Sequence, residues 1–445
     1  MTRVIIEIPN KRATRDKSAT ALFYSKLDQL SDSKEVDSIH PNAVFGFPKI
    51  EDGLEIWSDS RDIQPGPSSL LVEANVSAED ADSLPQEISG CRLYSNPPIA
   101  LHGPCFGDPA ECDHMEILSR LNITELWDDG FDGAEIAIAF VDTGINQNHL
   151  NQSLGEYTTI DKVNSWVPPG SSSLPGSFPI DHGTMSAFSG LLTAPASTIV
   201  DCAVFSSPTP TAPIGQSYLY SVLPALTFIW QRWLQPGDST LRKYKGLVCS
   251  NSWGIPAPSY DFPPGHPGRF IDNPQHPVQQ FIETIAFSGI DLVFSSGNCG
   301  FSCPDQICGG YTQQNISGLN ASRAVLTVSG CSPSGEIAGY SSQGPAIAGM
   351  YHQKPDISAF THFLGSEVYG QGVPDQGTSV AAPLVAGIIA LIRSRFSHKS
   401  ISVLELQEIF RLTAMSQSAS EGWAPDHGYG IVDPSSLAHY FRGIE

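Results

Sequence analysis

The chain has 445 residues, 40% of them hydrophobic and 16% charged, a composition that suits a folded globular protein and excludes collagen, coiled coil and tail-like disorder. Its 24 Lys+Arg against 46 Asp+Glu leave a net charge of −22. Such a surface repels phosphate backbones and anionic lipid heads, so neither nucleic acid nor a membrane is an expected partner.

The N-terminus, MTRVIIEIPNKRATRDK, holds only a short apolar run broken by charge, far from a secretory core segment. The longest apolar stretch, 381–392, is shorter than the ~18 residues of a membrane span. The expectation is a cytoplasmic protein, with export by a non-classical route left open. Nine cysteines at irregular spacing do not form a secreted disulfide framework. Only Cys299, Cys303 and Cys308 cluster. Three thiolates fall one short of a closed zinc site, which leaves a local bridge or free thiols.

In chain order, apolar runs at 4–8, 43–47, 69–76 and 91–95 alternate with polar helix candidates at 18–30 and 77–88. The second candidate opens on a serine cap followed by acids in its first turn. This reads as a small α+β domain over 1–105. The Pro-, Gly- and Cys-rich stretch 96–112 reads as the linker, with the boundary segment at 106–114 and the large domain at 115–445.

Beyond it, strand-length runs at 135–141, 198–205, 246–252, 291–296 and 324–330 alternate with helix candidates at 185–192, 217–234, 277–289 and 379–396. Runs apolar on both faces suit buried parallel strands. The alternation predicts an α/β domain with a doubly wound, mostly parallel sheet and helices on both faces. Long Pro-rich loops at 167–179, 206–213 and 255–277 are expected around a cleft.

Three short strings stand at strand ends and helix starts. AFVDTG places Asp142 after a buried strand; alone it fits a turn-capping Asp, or an aspartic protease that would have to dimerise to supply a second Asp. DHGTMSAFSG places His182 at the mouth of a helix, where an isolated His is an ordinary turn residue. QGTSVAAPLVAG places Ser379 at the start of an apolar helix, where a serine alone would be an N-cap; Pro383 is expected to be tolerated within the first turns.

Together the strings supply a carboxylate, an imidazole and a hydroxyl in the order Asp, His, Ser. They resemble the three catalytic motifs of the subtilase (subtilisin-like serine protease) family. VFSSGNCG resembles that family's oxyanion segment, which puts Asn298 in the role of oxyanion donor. SNSWG resembles the strand that pairs with substrate, with Ser252, Trp253 and Gly254 at its positions. ITELWDDGFDGAEIAIAFVDTGI, KPDISAF at 354–360 and HGYGIVDPSSL at 427–437 match as well. The chain departs from the family where MSAF follows His182-Gly183-Thr184 in place of a His-Val-Ala-Gly run, and where Val380 replaces the usual Met after the serine.

The resemblance implies a serine endopeptidase acting on a peptide or protein substrate, with Asp142, His182, Ser379 and Asn298 as its machinery. Ser252 to Gly254 and Ser295, Ser296 and Gly297 would line the substrate pocket. These small, uncharged walls predict apolar or broad preference and offer no carboxylate to select Arg or Lys. The N-terminal region resembles the end of a subtilase propeptide, so the chain's own N-terminal domain is the expected inhibitor, with processing between about Asn96 and His114. No cofactor is required; calcium is allowed as a structural ion, although no loop of recognisable ligand spacing occurs. A regulatory protein partner, and a restrained binding or scaffolding role on the same fold, stand as alternatives.

Overall fold

A computed structural model describes residues 2–9, 36–47, 69–76, 92–101, 109–206, 216–417 and 422–444. The helices expected at 18–30 and 77–88 and the segments 102–108 and 207–213 lie outside them.

Four strands, β1 (Thr2–Pro9), β2 (Val36–Phe47), β3 (Ser69–Val76) and β4 (Arg92–Ser95), form an antiparallel sheet in the order β2-β3-β1-β4. The four apolar runs read from the sequence fall in these strands. One face of the sheet is not its own: Ile5, Leu71 and Tyr94 belong to the core of the following domain. A short strand β5 (Pro98–Ala100) follows, with Asn96, Ile99 and Ala100 buried. The first part of the expected linker is therefore ordered and packed.

The remainder runs α1 (His114–Arg120), α2 (Thr124–Asp128), β6 (Ile136–Asp142), α3 (Gln147–Leu154), α4 (His182–Thr193), β7 (Thr198–Ala203), β8 (Gln216–Tyr218), α5 (Leu219–Leu234), β9 (Gly246–Asn251), α6 (Pro277–Phe287), β10 (Ile290–Ser295), β11 (Leu326–Cys331), β12 (Ile357–Phe360), α7 (Thr378–Arg395), α8 (Val403–Thr413) and α9 (Pro434–Arg442). Strands β6, β7, β9, β10, β11 and β12 pair in parallel, in the order β12-β11-β10-β9-β6-β7. Alternation on β6 accounts for the layers: Ile136, Ile138 and Phe140 face the core containing α4 and α7, while Ala137, Ala139 and Val141 face the core containing α5 and α6. A strand between two helical layers has no wet face, so its sequence is apolar throughout.

Strand β6 is flanked by β7 on one side and β9 on the other, so the winding reverses direction there. The crevice outside the carboxyl ends of the strands at such a point is where open α/β sheets bind ligands. Helix α7 is long and apolar enough to cross a membrane but is almost wholly buried, as a central core helix must be.

At its far end Arg393 makes a bidentate pair with Asp291, Nε to Oδ2 at 2.7 Å and Nη2 to Oδ1 at 2.8 Å, with both side chains buried. Removing one partner strands a buried charge. Arg393→Met is expected to cost about 3–5 kcal/mol of stability, read by denaturant unfolding, with the double change Arg393→Met, Asp291→Leu recovering most of it.

Candidate active site

Asp142 is the last residue of β6, and His182 is the first of α4. They meet because the start of α4 is seated on the turn after β6. A Cβ on Gly183 would stand 2.5 Å from the carbonyl oxygen of Gly144, so only glycine permits the approach, and Gly183 donates its N–H to Thr143 Oγ1 at 2.9 Å. The imidazole Nδ1 then lies 2.8 Å from Asp142 Oδ1 and 3.0 Å from Oδ2. Thr143 donates its backbone N–H to Oδ1 at 2.7 Å, and Ser186 donates its hydroxyl to Oδ2 at 3.0 Å.

Burial disfavours a charge on His182, but Asp142 in contact and the field of Asp181 outweigh it and hold the imidazole above its ordinary pKa. With the proton on Nδ1, Nε2 is left as an acceptor. Among the described residues Nε2 has no hydrogen-bond partner, so the structure does not form a His182–Ser379 hydrogen bond; such contacts often tighten only with substrate.

Ser379 is the second residue of α7 and is buried. The helix is capped by Gly377 at φ +96° with no side-chain cap bond, so Ser379 is not an N-cap. Pro383 sits one turn further in, where its missing N–H frees the carbonyl of Ser379; Ser252 Oγ donates to that oxygen at 3.4 Å. Pro383 lies within the first two turns of the helix, as the sequence suggests, and a side chain of the neighbouring segment meets the carbonyl it frees.

Asn298 is fully buried. Its Oδ1 accepts both the N–H and the hydroxyl of Thr378 at 2.9 Å, which fixes the amide orientation and turns Nδ2 away from Thr378. Asp305 N–H donates to the Asn298 carbonyl at 2.9 Å, and a Cys299–Cys308 disulfide closes the loop that follows. Cys303 is also disulfide-bonded.

Of the six residues expected to line the pocket, Ser252, Trp253 and Gly254 follow β9, Ser295 ends β10, and Ser296 and Gly297 follow it. Ser295 and Ser296 are buried, and Gly297 donates its N–H to Thr378 Oγ1 at 3.2 Å. Asn320 Nδ2 ties the two segments together, donating to the carbonyls of Trp253 at 2.9 Å and Ser295 at 2.8 Å. The Trp253 ring turns into the core, edge-on to Phe294 with ring centroids 5.3 Å apart. Its indole therefore belongs to the core. Gly254 is paired already: it exchanges both hydrogen bonds with Ala100, at 3.0 and 3.1 Å, in an antiparallel bridge. Among the described residues no group of three His, Cys, Asp or Glu stands close enough to hold a metal ion.

A match to the subtilase family extends over residues 133–431, more than half of the chain. The protein is a subtilase. Among curated relatives, this subtilase is similar to Mycosin-4 of Mycobacterium tuberculosis, 31% identical over 32% of this chain and 32% of that protein. It is similar to Fervidolysin of Fervidobacterium pennivorans, 24% identical over 71% of this chain and 42% of the relative. It is also similar to Furin of Bos taurus, 25% identical over 71% of this chain and 38% of the relative. The chain spans less than half the length of each of these relatives.

The sequence reading missed Asp201, although a lone carboxylate in the apolar strand TIVDCAVF was a visible signal. Its Oδ2 accepts the N–H of Gly176 at 2.9 Å and of Ile145 at 3.3 Å, tying two loops beside Asp142, while Oδ1 has no partner among the described residues. Burial pushes its carboxyl up to about 7, with the Asp142 charge adding to the rise against the two N–H donors. The folded pKa lies above the unfolded value of about 3.9, so the stability that this group contributes is full at low pH and is lost as pH rises from about 4 through about 7. Asp201→Asn keeps an acceptor without the charge. The subtilase carrying it is expected to match wild type in urea unfolding at pH 4 and to be more stable, by a few kcal/mol at most, at pH 8.

Proposed function

We propose that this subtilase is a serine endopeptidase made as a self-inhibited zymogen. The observation that carries the reading is the buried Asp142–His182 contact at the reversal point of the sheet; the amide of Asn298 is fixed on Thr378, the residue before Ser379.

The chemistry follows from the residue types. A serine hydroxyl is a weak nucleophile, so His182 Nε2 takes its proton as Oγ attacks the peptide carbonyl and later returns it to the leaving amine. Asp142 holds the proton of the imidazole on Nδ1 and stabilises the imidazolium. Asn298 and the first-turn N–H of Ser379 meet the developing oxyanion. Asn298→Ala is expected to lower kcat by about 10²–10³ while KM changes little, checked on a fluorogenic peptide amide.

The inhibitory reading rests on the N-terminal sheet and the tail leaving it. Tyr220 donates its hydroxyl to the Leu71 carbonyl at 2.9 Å and its N–H to Asn96 Oδ1 at 2.8 Å, and Ser95 N–H donates to Gly268 O at 2.8 Å. The Arg3 guanidinium lies 4.3 Å from the Tyr218 ring centroid. The tail occupies Gly254, the backbone that a substrate strand would use, so flexible peptides compete with it while folded proteins do not reach it. The substrate is accordingly an extended peptide segment, the role is regulated proteolysis or peptide maturation, and the cut that frees the enzyme falls beyond Leu101, before the chain is tied down again at Asp113. The Cys299–Cys308 bridge favours an oxidising compartment over the cytoplasm.

Intact masses of the full chain and of Ser379→Ala, taken after incubation and alkylation, test these points together. Cleavage between Leu101 and Asp113 in wild type alone, with Cys299 and Cys308 unalkylated, is expected. Equal cleavage of both proteins, or a full-length wild type that fails to react with a fluorophosphonate, overturns the reading.

A further inference from the structure

A serine in the middle of a helix ordinarily returns its hydroxyl to a carbonyl one turn back. Two hydroxyls of α4 do so: Ser189 donates to Met185 O and Thr193 to Gly190 O, both at 3.2 Å. Ser186, on the same helix and 1% exposed, does not. Its hydroxyl leaves the helix and donates to Asp142 Oδ2 at 3.0 Å. The residue lies four positions after His182, on the same helix face, so the imidazole and the hydroxyl approach one carboxylate from one helix. The family's run after the His motif has an apolar residue here, so this bond belongs to this chain's departure from the pattern and not to the pattern itself.

We propose that Ser186 is a positioning residue for the peptidase reaction: it holds the Asp142 carboxylate in the plane that His182 needs and tempers its charge. The assignment rests on the Asp142–His182–Ser379 reading given above. The carboxylate has two rotational anchors, one on each oxygen. Thr143 N–H fixes Oδ1 and Ser186 fixes Oδ2. With the second anchor removed the carboxylate can turn about its bond to Cβ, and the imidazole Nδ1, shared between the two oxygens at 2.8 and 3.0 Å, turns with it. A hydroxyl donated to a carboxylate also disperses its charge. Without that donor Asp142 is the stronger partner for the imidazolium, so His182 takes up its proton at higher pH. The other titratable groups bearing on the pair are Asp181, which acts on His182, Asp201, whose carboxyl feels Asp142, and Tyr369, a phenol raised by burial and by the fields of Asp181 and Asp142; none changes with Ser186.

The test compares wild type, Ser186→Ala and Ser186→Thr as full chains, with Asp142→Asn and Ser379→Ala as controls. Fluorophosphonate labelling of Ser379 and hydrolysis of a fluorogenic tetrapeptide amide are followed from about pH 5 to about pH 9, a range that brackets an imidazole titration. Removing one oxygen leaves the fold intact, which unfolding curves verify. For Ser186→Ala, kcat is expected to fall about tenfold with KM within about twofold, and the acid limb of the profile to move up by about half a pH unit. Ser186→Thr, which keeps a hydroxyl, restores the wild-type limb. An unchanged kcat in Ser186→Ala, or a fall in kcat with no shift of the acid limb, overturns the assignment, the latter marking a packing role only. If Ser379→Ala and Asp142→Asn remain as active as wild type, or wild type takes no label, the triad reading itself fails, and that outcome is distinct from a failure confined to Ser186.

Discussion

The site depends on one constraint, the close approach of α4 and α7. Their backbones meet where side chains would ordinarily stand: a Cβ on Gly387 would collide with Thr193 Oγ1 and the Gly190 carbonyl, and Thr193 Oγ1 instead donates to Leu384 O at 3.0 Å. Two helices packed this closely under the parallel sheet bring their first residues to the same end of it. Because α4 begins with His182 and follows β6, the carboxyl end of β6 receives an imidazole beside its own carboxylate, while the start of α7 lies against the segment that follows β9, where Ser252 meets the Ser379 carbonyl. A larger residue at the crossing would separate those helix starts before it disturbed anything at the surface.

The polar groups around the crevice form a scaffold of hydrogen bonds, each satisfying an atom that burial would otherwise penalise. Thr378 serves two neighbours at once, accepting from Gly297 and donating to Asn298. Asn320 braces the segments that carry Trp253 and Ser295, and Ser252 meets the carbonyl that Pro383 releases. Asp201 secures the turn after Asp142 from the next strand. In this network one side chain commonly fixes two segments, so the candidate site residues are held by several elements distant in sequence.

Much of this was legible in the chain. The strands β6, β7, β9, β10 and β11 and the helices α4 to α7 appear as apolar runs of the right length because the strands, α4 and α7 are buried on nearly every side, while α5 and α6 each turn a broad apolar face to the core. The shorter or more polar elements did not. Helix α3 buries only Leu150, so it carries no apolar stripe. Strand β12 has four residues and is placed by pairing Val328 with Ile357 across a long connection. Helix α8 was within reach, since Ser402 and Glu405 form a reciprocal cap with a recognisable spacing, as was α9, which opens on Asp433-Pro434.

The sequence by itself determined which residue types stand at strand ends and helix starts, and hence offered Asp142, His182 and Ser379 as a carboxylate, an imidazole and a hydroxyl in the order Asp, His, Ser; their grouping as one site, and Asn298 with them, came from the resemblance of their strings to the subtilase motifs. It could not determine contacts. That Ala100 returns to pair with Gly254, that the Trp253 ring turns inward, that Cys299 bridges to Cys308, and that Ser186 reaches Asp142 instead of its own helix are decisions of the tertiary structure. Each depends on where two segments distant in the chain are brought together, and hydrophobic periodicity fixes the face on which a side chain lies without fixing the partner it meets there.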